Sequence, residues 1–161
     1  MYKKSELIFI YADGFSLKIS KEPLQTMLSF RQMEKGSHES GGVLLGRHII
    51  DSSDVVIDFV TTPQKNDNST ETFFFKNKEE HQEIINTEWK MSKGTCNYIG
   101  EWHTHPQDHP IPSLTDMKTW LRLVKETKFE FGELFFIIVG RESLCAYLVN
   151  QKIYRLKLIN E

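Results

Sequence analysis

The sequence predicts a mixed α/β domain of the α+β kind, in which helices flank a curved, mostly antiparallel sheet. Two observations predict this fold class. Apolar segments of strand length outnumber the helical patterns, and several of them are joined by short turns typical of hairpins. No linker rich in Pro, Gly or Ser, no charge block and no repeat divides the 161 residues, so residues 1–161 are predicted to form a single domain.

The first half of the chain is predicted to contain four strands and one helix. The dipeptide Asp13-Gly14 is a strong signal for a two-residue hairpin turn. Ser20 can cap the helix, Pro23 falls in its first turn, where a missing N–H costs little, and Gly36 suits its C-terminal end. In chain order the elements are strands at residues 7–12 and 15–19, a helix from Ser20 to about Lys35, and strands at residues 43–45 and 55–60.

The second half of the chain is predicted to combine two helices with further strands. The polar segment 61–72 contains one proline and three Asn or Asp residues, which predicts a mobile surface loop. In the Phe-Phe-Phe run at residues 73–75, alternate rings are expected to be buried and Phe74 exposed. The remaining elements are helices at residues 78–91 and 114–126, an irregular Pro-rich segment at 106–112, and strands at residues 97–105, 134–139, 144–149 and 153–158.

Composition and charge argue against several classes of function. Lys and Arg total 20 and Asp and Glu total 22, a net charge of −2, which is unlike the basic excess of nucleic-acid-binding proteins. No apolar run approaches the roughly 20 residues that span a bilayer, and the apolar run near the start is broken at 12–14, so no signal peptide is expected. Cys96 and Cys145 are too few for a disulfide scaffold and are expected to be buried. The expected compartment is the cytoplasm.

The segment between Trp102 and Asp116 carries the strongest chemical signal. His103 and His105 lie two residues apart on a predicted strand and therefore point to the same face. Imidazole is a common zinc ligand, and Asp116, in the first turn of the following helix, is a candidate for a third. Two histidines and one carboxylate would leave one coordination position open, as in catalytic rather than structural zinc sites.

These residues also allow other interpretations. Ser113 with an acid three positions later is also the pattern of a helix capping box, and such a cap would hold the backbone of Asp116 firmly. The spacing from His103 to His109 is one residue too long for a metallo-β-lactamase, and no Glu follows His105 as a cupin requires. The chain is also too short for the (β/α)₈ barrel of a metal-dependent amidohydrolase, which needs about 250 residues.

A second segment, Glu39-Ser40-Gly41-Gly42, leads into the predicted strand at residues 43–45. Glycines at such a position allow a tight turn or the close approach of another backbone. Glu39, at the edge of a buried strand, is a candidate general base. Taken alone, a glutamate in this position is more often a solvated surface acid, so the segment does not identify a function by itself.

Taken together, these residues resemble the JAMM motif of the JAB/MPN metalloproteases. The order is Glu39, then His103-x-His105, seven intervening residues and Ser113-x-x-Asp116. The flanking residues 39–46 and 102–106 are also similar to that family, and the resemblance covers roughly residues 5 to 150. It implies the MPN/JAB architecture, which is cytidine-deaminase-like. The size of the chain resembles small bacterial stand-alone members, some of which lie in anti-phage defence operons.

The resemblance implies a zinc-dependent peptidase or isopeptidase with one Zn²⁺ per chain. His103, His105 and Asp116 would be the metal ligands, Glu39 would activate water as a base, and Ser113 would donate a hydrogen bond to the oxyanion. The implied substrate is a ubiquitin-like protein or its conjugate, which is cut after its C-terminal tail for deconjugation or precursor processing. No nucleic acid and no membrane is expected as a partner, and the protein is expected to be a monomer or weak dimer.

Three alternatives to this function stay open at the level of sequence. The same zinc chemistry would serve a peptidase that processes a sulfur-carrier or cofactor-synthesis precursor. A non-catalytic MPN scaffold would bind partners without metal, although such scaffolds generally lack one or more ligands. A DNA-repair-associated relative has little support from the charge balance. For the leading interpretation, the tail of the substrate is expected near residues 61–75.

Overall fold

The structure of the protein is a computed structural model that describes residues 6–12, 14–127 and 132–159. The described residues form eleven strands and three helices. The strands are β1 (Leu7–Ala12), β2 (Phe15–Ile19), β3 (Gly41–His48), β4 (Val55–Val60), β5 (Asn68–Thr70), β6 (Phe73–Phe75), β7 (Asn97–Thr104), β8 (Leu134–Val139), β9 (Leu144–Val149), β10 (Ile153–Arg155) and β11 (Lys157–Leu158). The helices are α1 (Lys21–Ser29), α2 (Lys78–Met91) and α3 (Leu114–Glu126).

Nine of these strands form one mixed sheet in the order β10-β9-β8-β7-β3-β4-β2-β1-β11, and β5 and β6 form a separate hairpin. Two of the eight neighbouring pairs are parallel, β2 with β4 and β7 with β8. The other six pairs are antiparallel. The predicted mixed fold class with a mostly antiparallel sheet is therefore confirmed, and β7 lies at the centre of the sheet between β3 and β8.

The two ends of the sheet meet at Leu156. Strands β10 and β11 lie at opposite ends of the strand order, yet this single buried residue separates them in the chain. Its N–H donates to the carbonyl of Ala146 at 2.9 Å, and three residues later Ile159 N–H donates to the carbonyl of Ile8 at 3.0 Å. The prediction of one continuous strand at 153–158 is wrong, because the chain changes pairing partner at Leu156.

Apolar side chains cover both faces of the sheet. One face packs a large cluster against α1, with Leu24, Met27 and Trp102 among its fully buried members. On the other face, Trp120 of α3 stacks on Phe136, with ring centroids 4.8 Å apart. The two cysteines are free and buried, as the sequence predicts. Among the described residues, no helix combines the length and the apolar character needed to cross a bilayer.

Helix α1 is shorter than predicted because tertiary contacts redirect the chain after Ser29. The sequence predicts a helix to about Lys35, but Arg31 Nε donates to the carbonyl of Leu28, and the buried side chain of Gln32 is bonded to residues far along the chain. Ser20 is the N-cap residue, although its side chain makes no capping hydrogen bond. The β1–β2 hairpin is present and Gly14 has a φ of +97°, while Asp13 of the predicted turn lies outside the described residues.

The segment predicted as a mobile surface loop, residues 61–72, is instead bound to the sheet and to α2. Thr61 is buried, the side chain of Asp67 is 4% exposed, and both residues bond to His81. The end of the segment forms β5, which pairs with β6. The rings of Phe73 and Phe75 are exposed rather than Phe74, so this prediction was also wrong.

Candidate metal centre

Strand β7 brings the two histidines to one point. His103 is the penultimate residue of the strand, and His105 follows its end. The N–H of His105 donates to the carbonyl of Val139 in β8, so the backbone at His105 is also fixed. The two side chains point to the same side, as their spacing predicts. Their Nε2 atoms lie 3.0 Å apart.

Asp116 completes a set of three converging donors. It lies in the first turn of α3, with Oδ1 at 3.3 Å from Nε2 of His103 and Oδ2 at 3.4 Å from Nε2 of His105. Tetrahedral ligand atoms that each lie roughly 2.0–2.1 Å from a zinc ion are about 3.3 Å from one another. Each imidazole of the cluster therefore has an oxygen of Asp116 within 3.4 Å, one oxygen for each imidazole, a spacing close to that of atoms that share a tetrahedral ion.

The N-terminus of α3 fixes the position of Asp116. The hydroxyl oxygen of Ser113 accepts a hydrogen bond from the N–H of Asp116 at 3.1 Å, and Oδ2 of Asp116 accepts one from the N–H of Ser113 at 2.6 Å. This reciprocal pair is a capping box. The capping interpretation and the metal interpretation are thus compatible, because the cap uses Oδ2 and leaves Oδ1 directed at His103.

Glu39 reaches the cluster from the other side. It is 5% exposed, its Oε1 lies 3.7 Å from Nε2 of His105, and one ligand atom from each of Glu39, His103 and His105 lies within 4.8 Å of the others. Glu39 could therefore serve as a ligand in place of Asp116. Asp116 lies nearer to the two imidazoles, through one oxygen for each, than Glu39 lies to His105.

The glycines that follow Glu39 allow this approach. A Cβ atom at Gly41 would lie 2.6 Å from the Phe74 ring and from the carbonyl oxygen of Trp102, and one at Gly42 would lie 2.2 Å from the carbonyl oxygen of Thr61. Both positions therefore require glycine because other groups pack directly against the backbone. Of the two roles that the sequence allows for the pair, a tight turn or a close approach, the structure has the close approach.

Burial and mutual charge shift the protonation of the cluster. Burial raises the pKa of Glu39 to about 8, partly offset by the nearby His105. Burial acts in the same direction on Asp116, but hydrogen bonds from the two imidazoles outweigh it and bring its pKa well below the ordinary value. For His105, burial lowers the pKa, but the hydrogen bond to Asp116 and the charge of Glu39 prevail and raise it. The cluster therefore favours positive charge between its carboxylates, which a bound cation would supply.

Three residues around the cluster have no counterpart among the sequence predictions. Gln107 lies near His105, whose pKa it helps to raise, and its Oε1 accepts from the N–H of Ile111 at 3.0 Å. Thr104 and Gln32 are buried and bond to each other at 2.9 Å. Because Thr104 lies between two histidines on a strand, its side chain is expected on the opposite face, where it can be buried. No local pattern marks Gln32 or Gln107.

Exposed apolar side chains border the cluster. The rings of Phe73 and Phe75 stack with centroids 6.2 Å apart and an interplanar angle of 11°. Ile111 and Leu114, on the loop and helix that carry Ser113, are 59% and 72% exposed. Single exposed apolar residues are common. Here Ile111 and Leu114 flank Ser113 in the chain, and Phe73 and Phe75 lie on the hairpin whose Thr70 carbonyl accepts from the N–H of Glu39.

The fold and the cluster define a class: small α/β domains that hold two histidines and an aspartate around an open position, with a buried glutamate beside it. A family model described as prokaryotic homologues of the JAB domain matches residues 21–153. The chain belongs to this family. The resemblance of the motif to JAB/MPN proteins is therefore confirmed.

Two relatives and one solved structure resemble the chain over most of its length. A protein of Escherichia coli named CD-NTase/cGAS isopeptidase is 33% identical over 140 residues, which are 87% of this chain and 86% of that protein. A protein of the same name from Pseudomonas aeruginosa is 35% identical over 133 residues, 83% of this chain and 82% of that protein. The solution structure of a protein from Desulfitobacterium hafniense shares the fold, with a TM-score of 0.58 and 22% identity over 85% of this chain and 87% of that one.

Proposed function

We propose that the protein is a zinc-dependent isopeptidase that hydrolyses the amide bond after the C-terminal tail of a ubiquitin-like protein. Family membership and the isopeptidase names of two relatives support a hydrolase. The observation that carries the zinc assignment is the convergence of His103, His105 and Asp116 at 3.0–3.4 Å, with Glu39 buried beside them.

The residues present fit a single zinc ion per chain. Two imidazoles and one carboxylate are an established catalytic donor set, and a fourth position stays open to solvent or substrate. When bound, zinc supplies a Lewis acid that polarises a carbonyl and lowers the pKa of water toward 7.

Glu39 is the proposed base. Its carboxylate takes a proton from the attacking water and passes the proton to the nitrogen of the departing amine, so that a neutral amine leaves. Burial raises the pKa of Glu39 to about 8 in the metal-free protein, and a cation bound beside it would lower that pKa and so favour the carboxylate form that accepts the proton. Burial of Glu39 also keeps bulk water away from the proton that is being transferred.

Ser113 is the proposed oxyanion donor. Its oxygen accepts from the N–H of Asp116, which leaves the hydroxyl hydrogen to donate. A donor of this kind, aimed at the charge that develops on the attacked carbonyl, is worth a few kcal/mol of transition-state stabilisation. The capping box fixes the Ser113 backbone, so the hydroxyl is held near the ligand Asp116 before substrate arrives.

The substrate side is inferred from the relatives and from the surface. The relatives' name joins isopeptidase activity to CD-NTase and cGAS, so we infer that the conjugate cut here has a CD-NTase as its target and that the setting is antiviral defence. The exposed, stacked rings of Phe73 and Phe75 provide an apolar surface for the substrate tail beside the segment that carries Glu39.

A cleavage assay tests this function against its alternatives. Purified protein with zinc is incubated with two matched substrates that share one ubiquitin-like tail, one joined to a lysine side chain and the other fused to a backbone. Release that stops with chelator and with Glu39→Gln supports the proposal. Cleavage restricted to a sulfur-carrier precursor would favour the cofactor-synthesis alternative. A protein that binds no zinc and releases nothing would be a scaffold, and the proposal would be wrong.

A further inference from the structure

The segment that carries Glu39 leaves the sheet beside the strand that carries the histidines. The register of β3 on β7 pairs Gly41 with His103 and hence places Ser40 opposite Thr104. The N–H of Thr104 donates to the carbonyl of Ser40 at 2.8 Å, as in a regular antiparallel pair. In return, the N–H of Ser40 donates to the hydroxyl of Thr104 at 2.9 Å, where a regular pair would use the carbonyl. The Thr104 side chain thus makes the last hydrogen bond between β7 and Ser40, the residue next to Glu39.

The side chain of Gln32 fixes the position of the Thr104 hydroxyl. The hydroxyl of Thr104 donates to Oε1 of Gln32 at 2.9 Å. Nε2 of the same side chain donates to the carbonyls of Ser37 at 2.8 Å and Glu71 at 2.9 Å. Gln32 is 1% exposed and Thr104 is fully buried. One buried amide therefore connects β7, the segment 37–40 and the β5–β6 turn.

The network fixes Glu39 without using the metal-binding atoms. Thr104 lies between the two histidines in the chain and points to the opposite face of β7. The Glu39 N–H donates to the carbonyl of Thr70 at 2.7 Å, on the same hairpin that Gln32 contacts. Hydrogen bonds thus hold the backbone at Glu39 and at the neighbouring Ser40. The Glu39 carboxylate extends toward His105.

We propose that Thr104 and Gln32 are positioning residues for Glu39: their hydrogen bonds set the placement of its carboxylate relative to the imidazoles. The inference rests on the role of Glu39 in the proposed function. Because the loss of a hydrogen bond can also act through stability alone, a control is taken from β2. The N–H and the hydroxyl of Ser16 donate to Oδ1 of Asp54 at 2.7 and 3.0 Å, and β2 lies between β1 and β4 in the sheet, away from β7.

The test compares Thr104→Val, Thr104→Ser and the control Ser16→Ala, each as the full chain. Valine keeps the shape of threonine and removes the hydroxyl, whereas serine keeps the hydroxyl. In zinc-loaded protein, Thr104→Val is expected to lower kcat by about ten- to a hundredfold, with KM and zinc affinity within about twofold of the unmodified protein. Thr104→Ser restores kcat to within about threefold, and Ser16→Ala leaves kcat within the same range although it also loses a hydroxyl hydrogen bond.

A second measurement on metal-free protein separates this inference from the proposed function. Amide hydrogen exchange at Ser40 is expected to be at least about tenfold faster in Thr104→Val than in the unmodified protein, and unchanged in Thr104→Ser. Equal exchange in all three would overturn the inference, and so would an equal loss of kcat in Thr104→Val and Ser16→Ala. An inactive unmodified protein with normal exchange would instead count against the proposed function alone.

Discussion

Two groups of histidine and carboxylate lie in this molecule, and they differ in how their nitrogen atoms are satisfied. His81 is 1% exposed and has opposite partners on its two ring nitrogens. The hydroxyl of Thr61 lies 2.7 Å from Nδ1, and the carboxylate of Asp67 lies 3.0 Å from Nε2. His103 and His105 instead direct like atoms at each other, Nε2 against Nε2 at 3.0 Å.

The difference shows what distinguishes a structural group from a candidate metal site. The carboxylate of Asp67 can only accept, so Nε2 of His81 carries a hydrogen, and Nδ1 is bonded to the Thr61 hydroxyl, which also accepts from the N–H of Val43. Each ring nitrogen of His81 thus has its own partner. The Nε2 atoms of His103 and His105 face each other instead, with the carboxylates of Asp116 and Glu39 beside them, an arrangement that suits a cation held between imidazoles and carboxylates.

The sharpest way to break the comparison is to remove one histidine from each group. His105→Ala is expected to reduce bound zinc from one per chain to near zero and to abolish turnover, since only two ligands would be left. His81→Gln is expected to keep one zinc per chain and to lower the free energy of unfolding by about 2 kcal/mol, through the loss of buried hydrogen bonds. Metal analysis and urea unfolding measure both. Retention of zinc by His105→Ala would contradict the site.

The next largest effect is expected from Glu39→Gln, which keeps the shape of the side chain and removes its ability to take a proton. We expect kcat to fall by about a thousandfold or more, within the usual range for general bases, while zinc stays at one per chain. Steady-state kinetics on the matched fusions and metal analysis check this. Loss of zinc in Glu39→Gln would instead make Glu39 a ligand, as its approach to both histidines allows.

Ser113→Ala sharpens the comparison at the helix cap. We expect kcat to fall by about ten- to a hundredfold from the lost oxyanion donor, with about 1 kcal/mol of stability lost from the cap. Asn77 is a matched control, because it caps α2 by accepting from the N–H of Glu80 at 3.1 Å. Asn77→Ala should cost similar stability and leave kcat unchanged. If both variants lost the same activity, Ser113 would act only through folding.

The smallest expected effect is on the pH dependence of stability in metal-free protein. The pKa of Glu39 is raised from an ordinary 4.5 to about 8, so the folded state binds a proton that the unfolded state releases between these values. Stability therefore falls as pH rises through this window. Between about pH 5.5 and 8.5 the thermal midpoint should fall by several degrees more in unmodified protein than in Glu39→Gln. Parallel curves would contradict the raised pKa.

The sequence predicts the half of the site that depends on local geometry. His103 and His105 are brought together by strand periodicity, and the capping pattern from Ser113 to Asp116 is also readable as a local motif. Glu39 lies 64 positions before His103 in the sequence, so only the family resemblance connects the two. Thr104, Gln32 and His81 act through contacts 20 to 72 residues away, which no local pattern encodes.

The errors in the fold have the same origin. Polar composition predicts a loose loop at 61–72, but a polar segment can also be ordered when its groups find buried partners, as Asp67 does with His81. The residues after α1 have a composition that would allow the helix to continue. The side chain of Gln32 instead bonds to Ser37, Glu71 and Thr104, and these bonds hold the chain in a non-helical path. Tertiary contacts outweighed local preference in both places.

The junction at Leu156 has a consequence for how the protein is made. Strand β11 supplies the outermost partner of β1, so the N-terminal hairpin cannot acquire all its neighbours until residues 157–158 have emerged from the ribosome. Pairings between such distant parts of a chain form slowly. During synthesis the unpaired edge of β1 can pair with other chains. A nascent polypeptide stalled before Leu156 would therefore be expected to bind chaperones.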